Sequence, residues 1–167
     1  MRRTDYIVRA ADRIVRAYDT RNPRRLAERL GLRIIEGRLG SLKGMYKIIE
    51  RNRFLFLNEE LDAILQNIVL LHEIGHDQLH RKQAGAFQEF NLFDMATNQM
   101  EYEANLFAAQ VALPDDAVLD HIREGHDVAQ IATAMRSNIN LVAIKVSDLA
   151  SRGYKFQVPE HKRNFLA

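Results

Sequence analysis

The stretch from Leu61 to Leu79 constrains the fold most, because it combines a long helical pattern with an H-E-x-x-H motif. Its apolar residues recur at helical spacing and form one stripe. The stripe consists of Leu61, Ile64, Leu65, Ile68, Leu71, Gly75 and Leu79. His72 and His76 lie four residues apart, so they share a helix face and continue this stripe. The pattern therefore predicts a helix whose two histidines point into the protein.

Two buried imidazoles beside a glutamate are costly unless a partner compensates their polarity. One interpretation is that His72 and His76 are core histidines with local hydrogen-bond partners and that the motif is accidental. The other, which we favour, is that both bind one metal ion while Glu73 stands beside it. Glu73 would then act as the general base on metal-bound water, and the reaction would be hydrolysis of a peptide or amide bond.

The composition limits both the metal ligands and the partners. No cysteine occurs among the 167 residues, so a zinc ion would need His, Asp or Glu ligands. A chain without cysteine suits a reducing cytosol, and we expect a cytoplasmic protein. No apolar run is long enough for a secretion signal or a membrane span. The net charge of +2 is smaller than the excess expected of a dedicated nucleic-acid-binding protein.

Glu101 is the candidate for a third metal ligand. It lies in a helical pattern over residues 98–113 that Pro114 ends. One face of this helix consists of Glu101, Ala104, Asn105 and Ala108. The small residues would allow a close approach to the motif helix, so that Glu101 reaches the metal and Asn105 hydrogen-bonds a ligand histidine. Gly75 would permit the same approach from the other side, although simple packing also explains a glycine there.

Three further histidines and Glu103 are not predicted to be metal ligands. His80 lies one further turn along the motif helix, about 6 Å from His76 along the axis, which is too far to complete a tetrahedral site easily. We expect His80 to support a ligand by hydrogen bonding or to be structural. Glu103 points to another side of its helix and is predicted to be a surface charge. His121 and His126 are also predicted to lie on the surface.

The segments before the motif predict two helices and a small sheet. Residues 4–20 have amphipathic helical spacing. A second helix is predicted to begin at Pro23, with Asn22 as its N-cap, and to end at Gly31. Three strands are predicted, at Leu32–Ile35, Met45–Glu50 and Phe54–Leu57, and the last two form a hairpin around Arg51-Asn52-Arg53. These patterns indicate a mostly helical α+β fold with a three-stranded antiparallel or mixed sheet.

The start of the motif helix and its substrate contacts can also be predicted. Asn58 is the predicted N-cap, followed by Glu59, Glu60 and Asp62 in the first turn.

One hairpin strand, Phe54–Leu57 or Met45–Glu50, is predicted to pair with an extended substrate. The stretch 83–97 between the two helices would line a hydrophobic specificity pocket or belong to the core. Its large apolar residues are Phe87, Phe90, Leu92, Phe93 and Met95.

The C-terminal segment suggests a different class of function. Residues 127–150 predict two helices joined by a turn near Ser137-Asn138, which resembles a helix-turn-helix. The protein would then be a DNA-binding regulator with a structural metal site. However, the second helix offers only Lys145 and Arg152, offset by Asp148, which matches phosphate contacts poorly. We therefore expect a packing or docking unit without direct binding to nucleic acid.

We expect one domain over residues 1–167, with four parts along the chain. The parts are the N-terminal helices (1–31), the hairpin and metal-site core (32–114), the C-terminal helical segment (115–153) and a tail (154–167). The tail contains a predicted short strand at residues 155–158.

The sequences HEIGHDQLH at 72–80 and EYEANLFAAQVALP at 101–114 together resemble the ImmA/IrrE-type zinc metallo-endopeptidases. That family has a HElGHxxLH helix followed by E-x-x-A-N-x-F-A and an L-x-P end, and it often has Leu-Leu-Met-Pro where this chain has Val-Ala-Leu-Pro. The order of the predicted elements also agrees over most of the chain. The resemblance implies a small zincin-like fold with a glutamate ligand.

The resemblance also implies roles for individual residues and a class of substrate. His72, His76 and Glu101 would bind Zn²⁺, for which Mn²⁺ is the alternative, and Glu73 would be the catalytic base. Members of the family are encoded with mobile elements or stress regulons and cleave a partner helix-turn-helix repressor. The substrate implied for this chain is therefore a repressor protein, and the C-terminal helical segment would be a packing or repressor-docking unit.

Overall fold

The computed structural model of the protein describes residues 2–83, 87–89 and 99–160. The helices of this part are α1 (Asp5–Tyr18), α2 (Pro23–Arg29), α3 (Ala63–His80), α4 (Gln99–Ala112), α5 (Asp115–Arg123), α6 (Val128–Ala134) and α7 (Ile139–Ser151). The strands are β1 (Arg33–Gly37), β2 (Gly44–Ile49), β3 (Asn52–Asn58) and β4 (Phe87–Glu89). The predicted class, a mostly helical α+β fold, is confirmed. No helix in the described ranges is both long and apolar enough to cross a membrane.

The strands form a mixed sheet in the order β1-β3-β2-β4. β3 is parallel to β1, and β2 is antiparallel to both β3 and β4. The three predicted strands are therefore confirmed, and the short β4 joins them without a sequence signal of its own. The hairpin turn lies at Glu50 and Arg51, both with positive φ, rather than at residues 51–53. Two consecutive positive φ angles are typical of a type I′ turn, which leaves Asn52 to pair with Ile49.

The two N-terminal helices agree with their predicted patterns. α1 buries Ile7, Ala11 and Ile14 on one face, as its spacing indicates. α2 begins at Pro23, and the Asn22 side chain accepts hydrogen bonds from two backbone N–H groups of the first turn. Gly31 follows the helix with a φ of +74°, a left-handed conformation that favours glycine after a helix end.

The predicted N-cap of the motif helix is wrong. Asp62, which has extended backbone angles, caps α3 by accepting a hydrogen bond from Leu65 N at 2.8 Å. Asn58 instead ends β3, where its amide donates to two carbonyls of the preceding loop, those of Gly40 and Leu42. Because the helix begins at Ala63, the acidic residues at positions 59 and 60 precede its first turn.

Helix α3 lies between α4 on one side and β2 on the other, and a glycine permits each contact. A Cβ atom on Gly75 would lie 3.2 Å from the Cα and carbonyl oxygen of Ala104 and 3.2 Å from a ring carbon of Phe107. A Cβ atom on Gly44 of β2 would lie 2.5 Å from Val69 Cγ1. The predicted close approach at Gly75 is therefore confirmed, and the sheet makes a similar approach at Gly44.

Asp77 fastens α3 to the sheet. Its carboxylate is fully buried and accepts a hydrogen bond from Tyr46 of β2 at 2.8 Å. Both of its oxygens accept from Arg53 of β3 at 2.8 Å, and Arg53 also donates to the Leu30 carbonyl. Burial, together with the hydrogen bond to Asp77, raises the pKa of Tyr46, so the phenol stays a donor. This anchor holds one turn of α3 in place directly after the H-E-x-x-H motif.

The C-terminal segment forms the two predicted helices and turn, and the predicted strand in the tail is wrong. Asp127 and Gln130 make a capping box at the start of α6, and Asn138 caps α7. Residues 155–158 have no regular secondary structure. Phe156 and Val158 are partly buried and pack against the hydrophobic core instead of pairing in a strand.

Substitution of Gly75 by alanine tests the contact between α3 and α4. Overpacking against backbone atoms costs about 2–3 kcal/mol, the upper part of the usual range, and the better helix propensity of alanine offsets about 1 kcal/mol. We expect Gly75→Ala to lower the free energy of unfolding by about 1–2 kcal/mol in urea titrations. Gly37→Ala is the control, since a Cβ atom there meets nothing within 4 Å. Equal stability of the two variants would contradict the close contact.

Candidate metal centre

Three side chains from α3 and α4 converge at the contact between the two helices. His72 Nε2 lies 3.1 Å from His76 Nε2 and 3.0 Å from Glu101 Oε2. His76 Nε2 lies 3.2 Å from the other oxygen of Glu101. Both imidazoles are fully buried, whereas the Glu101 side chain is 21% exposed. The three residues therefore form one cluster with its carboxylate at the solvent side.

Asn105 sets the protonation of His72. Its Oδ1 atom lies 2.8 Å from His72 Nδ1, deep in the interior between α3 and α4. A carbonyl oxygen only accepts, so the imidazole must carry its proton on Nδ1. His72 Nε2 then presents a lone pair to the cluster. This hydrogen bond is of the kind that orients metal-binding histidines.

His80 and Glu103 set the protonation of His76 in the same way. Glu103 Oε2 lies 2.8 Å from His80 Nε2, whose N–H group donates a hydrogen bond to the carboxylate. The other nitrogen of His80 is then an acceptor and lies 3.0 Å from His76 Nδ1. His76 must therefore donate from Nδ1, which leaves a lone pair on its Nε2 as well.

The prediction that Glu103 is a surface charge is wrong, because the residue is only 7% exposed. Burial alone would raise the pKa of Glu103, but hydrogen bonds from His80, Gln99 and Tyr6 lower it below its usual value. The Glu103 carboxylate is thus ionised and is the final acceptor in the series of hydrogen bonds from His76 through His80. Tyr6 belongs to α1, so this contact depends on the tertiary fold and could not be found from helical spacing within α4.

The arrangement fits one divalent cation. Burial lowers the pKa of His76 to about 4, so the imidazole is neutral near pH 7. Two lone pairs and a carboxylate oxygen then face one another, an unfavourable arrangement that a cation relieves. Ligand atoms at roughly 2 Å from a tetrahedral ion are about 3.3 Å apart, close to the spacing observed. Two imidazoles and one carboxylate are a donor set that suits Zn²⁺.

Glu73 directly follows His72 on α3, so its side chain leaves the helix about 100° around the axis from that of His72. Its side chain is fully buried and faces the start of β2, where a Cβ atom on Gly44 would lie 3.3 Å from Glu73 Oε1. Glycine at position 44 therefore leaves room for the carboxylate. Gly44 directly precedes the predicted strand Met45–Glu50, and a glycine at the start of a strand is its only signal in the sequence.

The structure limits where an extended substrate could pair. Phe54–Leu57 is excluded, because β3 is the central strand and has β1 and β2 on its two sides. β2 pairs with β4 along Gly44–Tyr46, and in the described residues its second half has only β3 as a neighbour. Of the residues proposed for a hydrophobic pocket, Phe87 is described only as part of β4, and the others, Phe90, Leu92, Phe93 and Met95, lie outside the described residues.

Comparisons with known proteins agree with this site. The family model for Peptidase M78, described as the IrrE N-terminal-like domain, matches residues 27–147, which is more than half of the chain. The uncharacterized immunity region protein 2 of Bacillus phage phi105 is 35% identical over 108 residues, covering 64% of this chain and 67% of that protein. The metallopeptidase ImmA of Bacillus subtilis (strain 168) is 25% identical over 143 residues, covering 83% of this chain and 82% of that protein.

The role of Glu103 can be tested by measuring metal affinity. Glu103→Gln removes the anion that fixes the tautomers of His80 and His76, and loss of such a supporting contact typically weakens metal binding about 10- to 100-fold. Competition of Zn²⁺ between the protein and a chromogenic chelator measures this change. Glu28→Gln, at an exposed position of α2, is the matched control. An affinity for Glu103→Gln within twofold of the control would refute the role.

Proposed function

This chain belongs to the peptidase family of the IrrE N-terminal-like domain, and we propose that it is a zinc-dependent endopeptidase that cleaves a specific protein substrate. The family and the ImmA relative support a metallopeptidase. The observation that carries the proposal is the convergence of His72, His76 and Glu101 within 3.0–3.2 Å of one another. A buried glutamate, Glu73, stands beside this cluster on the same helix.

The two imidazoles, through Nε2, and the Glu101 carboxylate would hold the ion, with Mn²⁺ as the alternative to Zn²⁺. When bound, the ion supplies a Lewis acid that polarises a carbonyl and lowers the pKa of water. The chain keeps the ligand atoms deprotonated through Asn105 on one side and His80 on the other. These supports are buried, so little reorganisation is needed when the ion enters.

Glu73 would be the general base of the reaction. Its carboxylate takes a proton from the attacking water and later transfers it to the amine that leaves the cleaved peptide bond. The helix places Glu73 next to His72, and Asp77 keeps that part of α3 against the sheet. Because the carboxylate is buried, its electrostatic interactions with a bound substrate are screened less than they would be in water.

We further propose that the substrate is a helix-turn-helix repressor. Two observations support this choice. The chain resembles peptidases that cleave such repressors, and the phage relative is named for an immunity region. The helical pair α6 and α7 would then serve as a packing or docking unit.

The rival proposal, a DNA-binding regulator with a structural metal, has less support from α7. Lys145 is fully buried and donates to Gln110 and Asp115. Arg152 forms ion pairs with Asp115 at 2.6 Å and Asp148 at 2.8 Å. Burial alone would raise the pKa of Asp115, but hydrogen bonds from Arg152 and Lys145 lower it to about 2. Both cations are thus engaged inside the protein, where they do not contact phosphate groups.

Co-expression with a helix-turn-helix repressor encoded beside this chain tests the proposal. We expect the wild-type protein to cleave the repressor and Glu73→Gln to slow cleavage by about 10²- to 10⁴-fold, the usual contribution of a general base. Bound metal, measured by elemental analysis, should be unchanged in the variant. Glu60→Gln, at an exposed position before α3, should cleave normally.

Full cleavage by Glu73→Gln would rule out the catalytic role. Salt-sensitive binding of metal-free protein to duplex DNA, without cleavage of the repressor, would instead favour the regulator.

A further inference from the structure

A second cluster of metal-binding side chains lies at the end of α5. His121 Nδ1 and His126 Nδ1 are 3.0 Å apart, and the two rings are tilted by 33°. Glu124 Oε2 lies 3.9 Å from His121 Nδ1 and 3.7 Å from His126 Nδ1. The cluster therefore offers two nitrogens and one oxygen, the same donor set as the centre between α3 and α4.

The backbone at the end of α5 holds the two histidines together. Gly125 has a φ of +83° and donates to the Ile122 carbonyl at 3.0 Å, and His126 donates to the His121 carbonyl at 3.1 Å. These two hydrogen bonds define a Schellman motif, in which the side chains at the positions of His121 and His126 commonly make an apolar contact. Here imidazoles occupy both positions, so the helix end itself brings two metal-binding groups into contact.

The local electrostatics favour a cation. The carboxyl end of a helix carries a partial negative charge, and Glu124 adds a full one at the cap. When both imidazoles are neutral, at most one of the facing Nδ1 atoms can donate, so the other presents its lone pair. The observed 3.0 Å separation is also near the spacing of about 3.3 Å expected for two ligands of a tetrahedral ion.

We propose that His121, Glu124 and His126 form a second site for a divalent transition-metal ion such as Zn²⁺. The side chains are 25%, 63% and 34% exposed, so water completes the coordination and binding is weaker than at the buried centre. Glu124 Oε2 is 3.7–3.9 Å from the two nitrogens, farther than the expected ligand spacing, so its exposed side chain would move closer when an ion binds. The proposal does not depend on peptidase activity.

Occupation of this site would join α5 to the start of α6. His126 directly precedes Asp127, whose side chain caps α6 through the backbone N–H of Gln130. An ion shared by His121 and His126 would therefore fix the direction in which the chain leaves α5. The expected effect is a C-terminal helical segment that opens less often when the metal is bound.

Titration of the full-length metal-free protein with Zn²⁺ tests the proposal. We expect two equivalents for the wild-type protein, one tight and one weaker. The variant with both His121→Gln and His126→Gln should keep the tight equivalent, which also shows that it is folded, and should bind the weaker one at least tenfold less well. Asp120→Asn, an exposed neighbour on α5, is the matched control and should bind two equivalents.

A converse variant separates this inference from the proposed function. Glu101→Gln should weaken the tight equivalent while leaving the weaker one unchanged. In Glu101→Gln, hydrogen exchange at residues 121–130 should slow when Zn²⁺ fills the site of His121, Glu124 and His126. The same Zn²⁺ concentration should not slow exchange in the double histidine variant. A single equivalent in the wild-type protein, or an unchanged second equivalent in the double variant, would overturn the proposal and leave a simple hydrogen bond between two imidazoles.

Discussion

The contact between Gly75 of α3 and Ala104 of α4 is the constraint on which the candidate metal centre depends. A side-chain carbon at position 75 would meet the backbone of Ala104 at 3.2 Å, so the absence of a side chain at Gly75 allows α4 to come this close. Only at this separation does Glu101, which lies nearly one turn before Ala104, reach the two Nε2 atoms. The same separation lets Asn105 reach the far side of His72. A close packing contact is thus also the reason why ligands from two helices meet.

The polarity of the centre is set by groups that do not touch the metal position. On one side an amide oxygen accepts from His72, and on the other a carboxylate accepts through His80 from His76. Each chain of hydrogen bonds leaves a lone pair directed at the same point. Since these groups are buried, an arrangement of three acceptors without a cation carries a cost that binding removes. This explains how a protein without cysteine can hold a metal with neutral histidines and one carboxylate.

Features that depend on local physics could be predicted from the sequence, while those that depend on distant partners could not. The amphipathic α1, the Asn22 cap and the pairing of His72 with His76 all follow from spacing of a few residues. The choice between Asn58 and Asp62 as the N-cap of α3 could not be predicted from such spacing, because both side chains can cap a helix. Asn58 donates instead to the carbonyl of Gly40, a contact that local spacing does not reveal. The burial of Glu103 and Lys145 could not be predicted either. The pattern within each helix indicates a surface charge for Glu103 and a candidate phosphate contact for Lys145.

Their partners come from other helices. Glu103 is covered by Tyr6 and His80, and Lys145 by Asp115 and Gln110. Charged residues on amphipathic helices are usually solvated, so a pattern within one helix predicts exposure. Buried charges are the exceptions, and they lie where several elements meet. In this protein Glu103 supports the candidate metal centre, and Lys145 links α7 to α4 and α5.

The most direct test of the account is crystallographic, with anomalous scattering measured at the zinc absorption edge from crystals grown with Zn²⁺. We expect a peak between α3 and α4 at roughly 2 Å from His72 Nε2, His76 Nε2 and a carboxylate oxygen of Glu101. Asn105 and His80 should keep their present hydrogen bonds to the two ligand histidines. The absence of a peak there, with the two imidazoles joined by a direct hydrogen bond at full zinc saturation, would contradict the account.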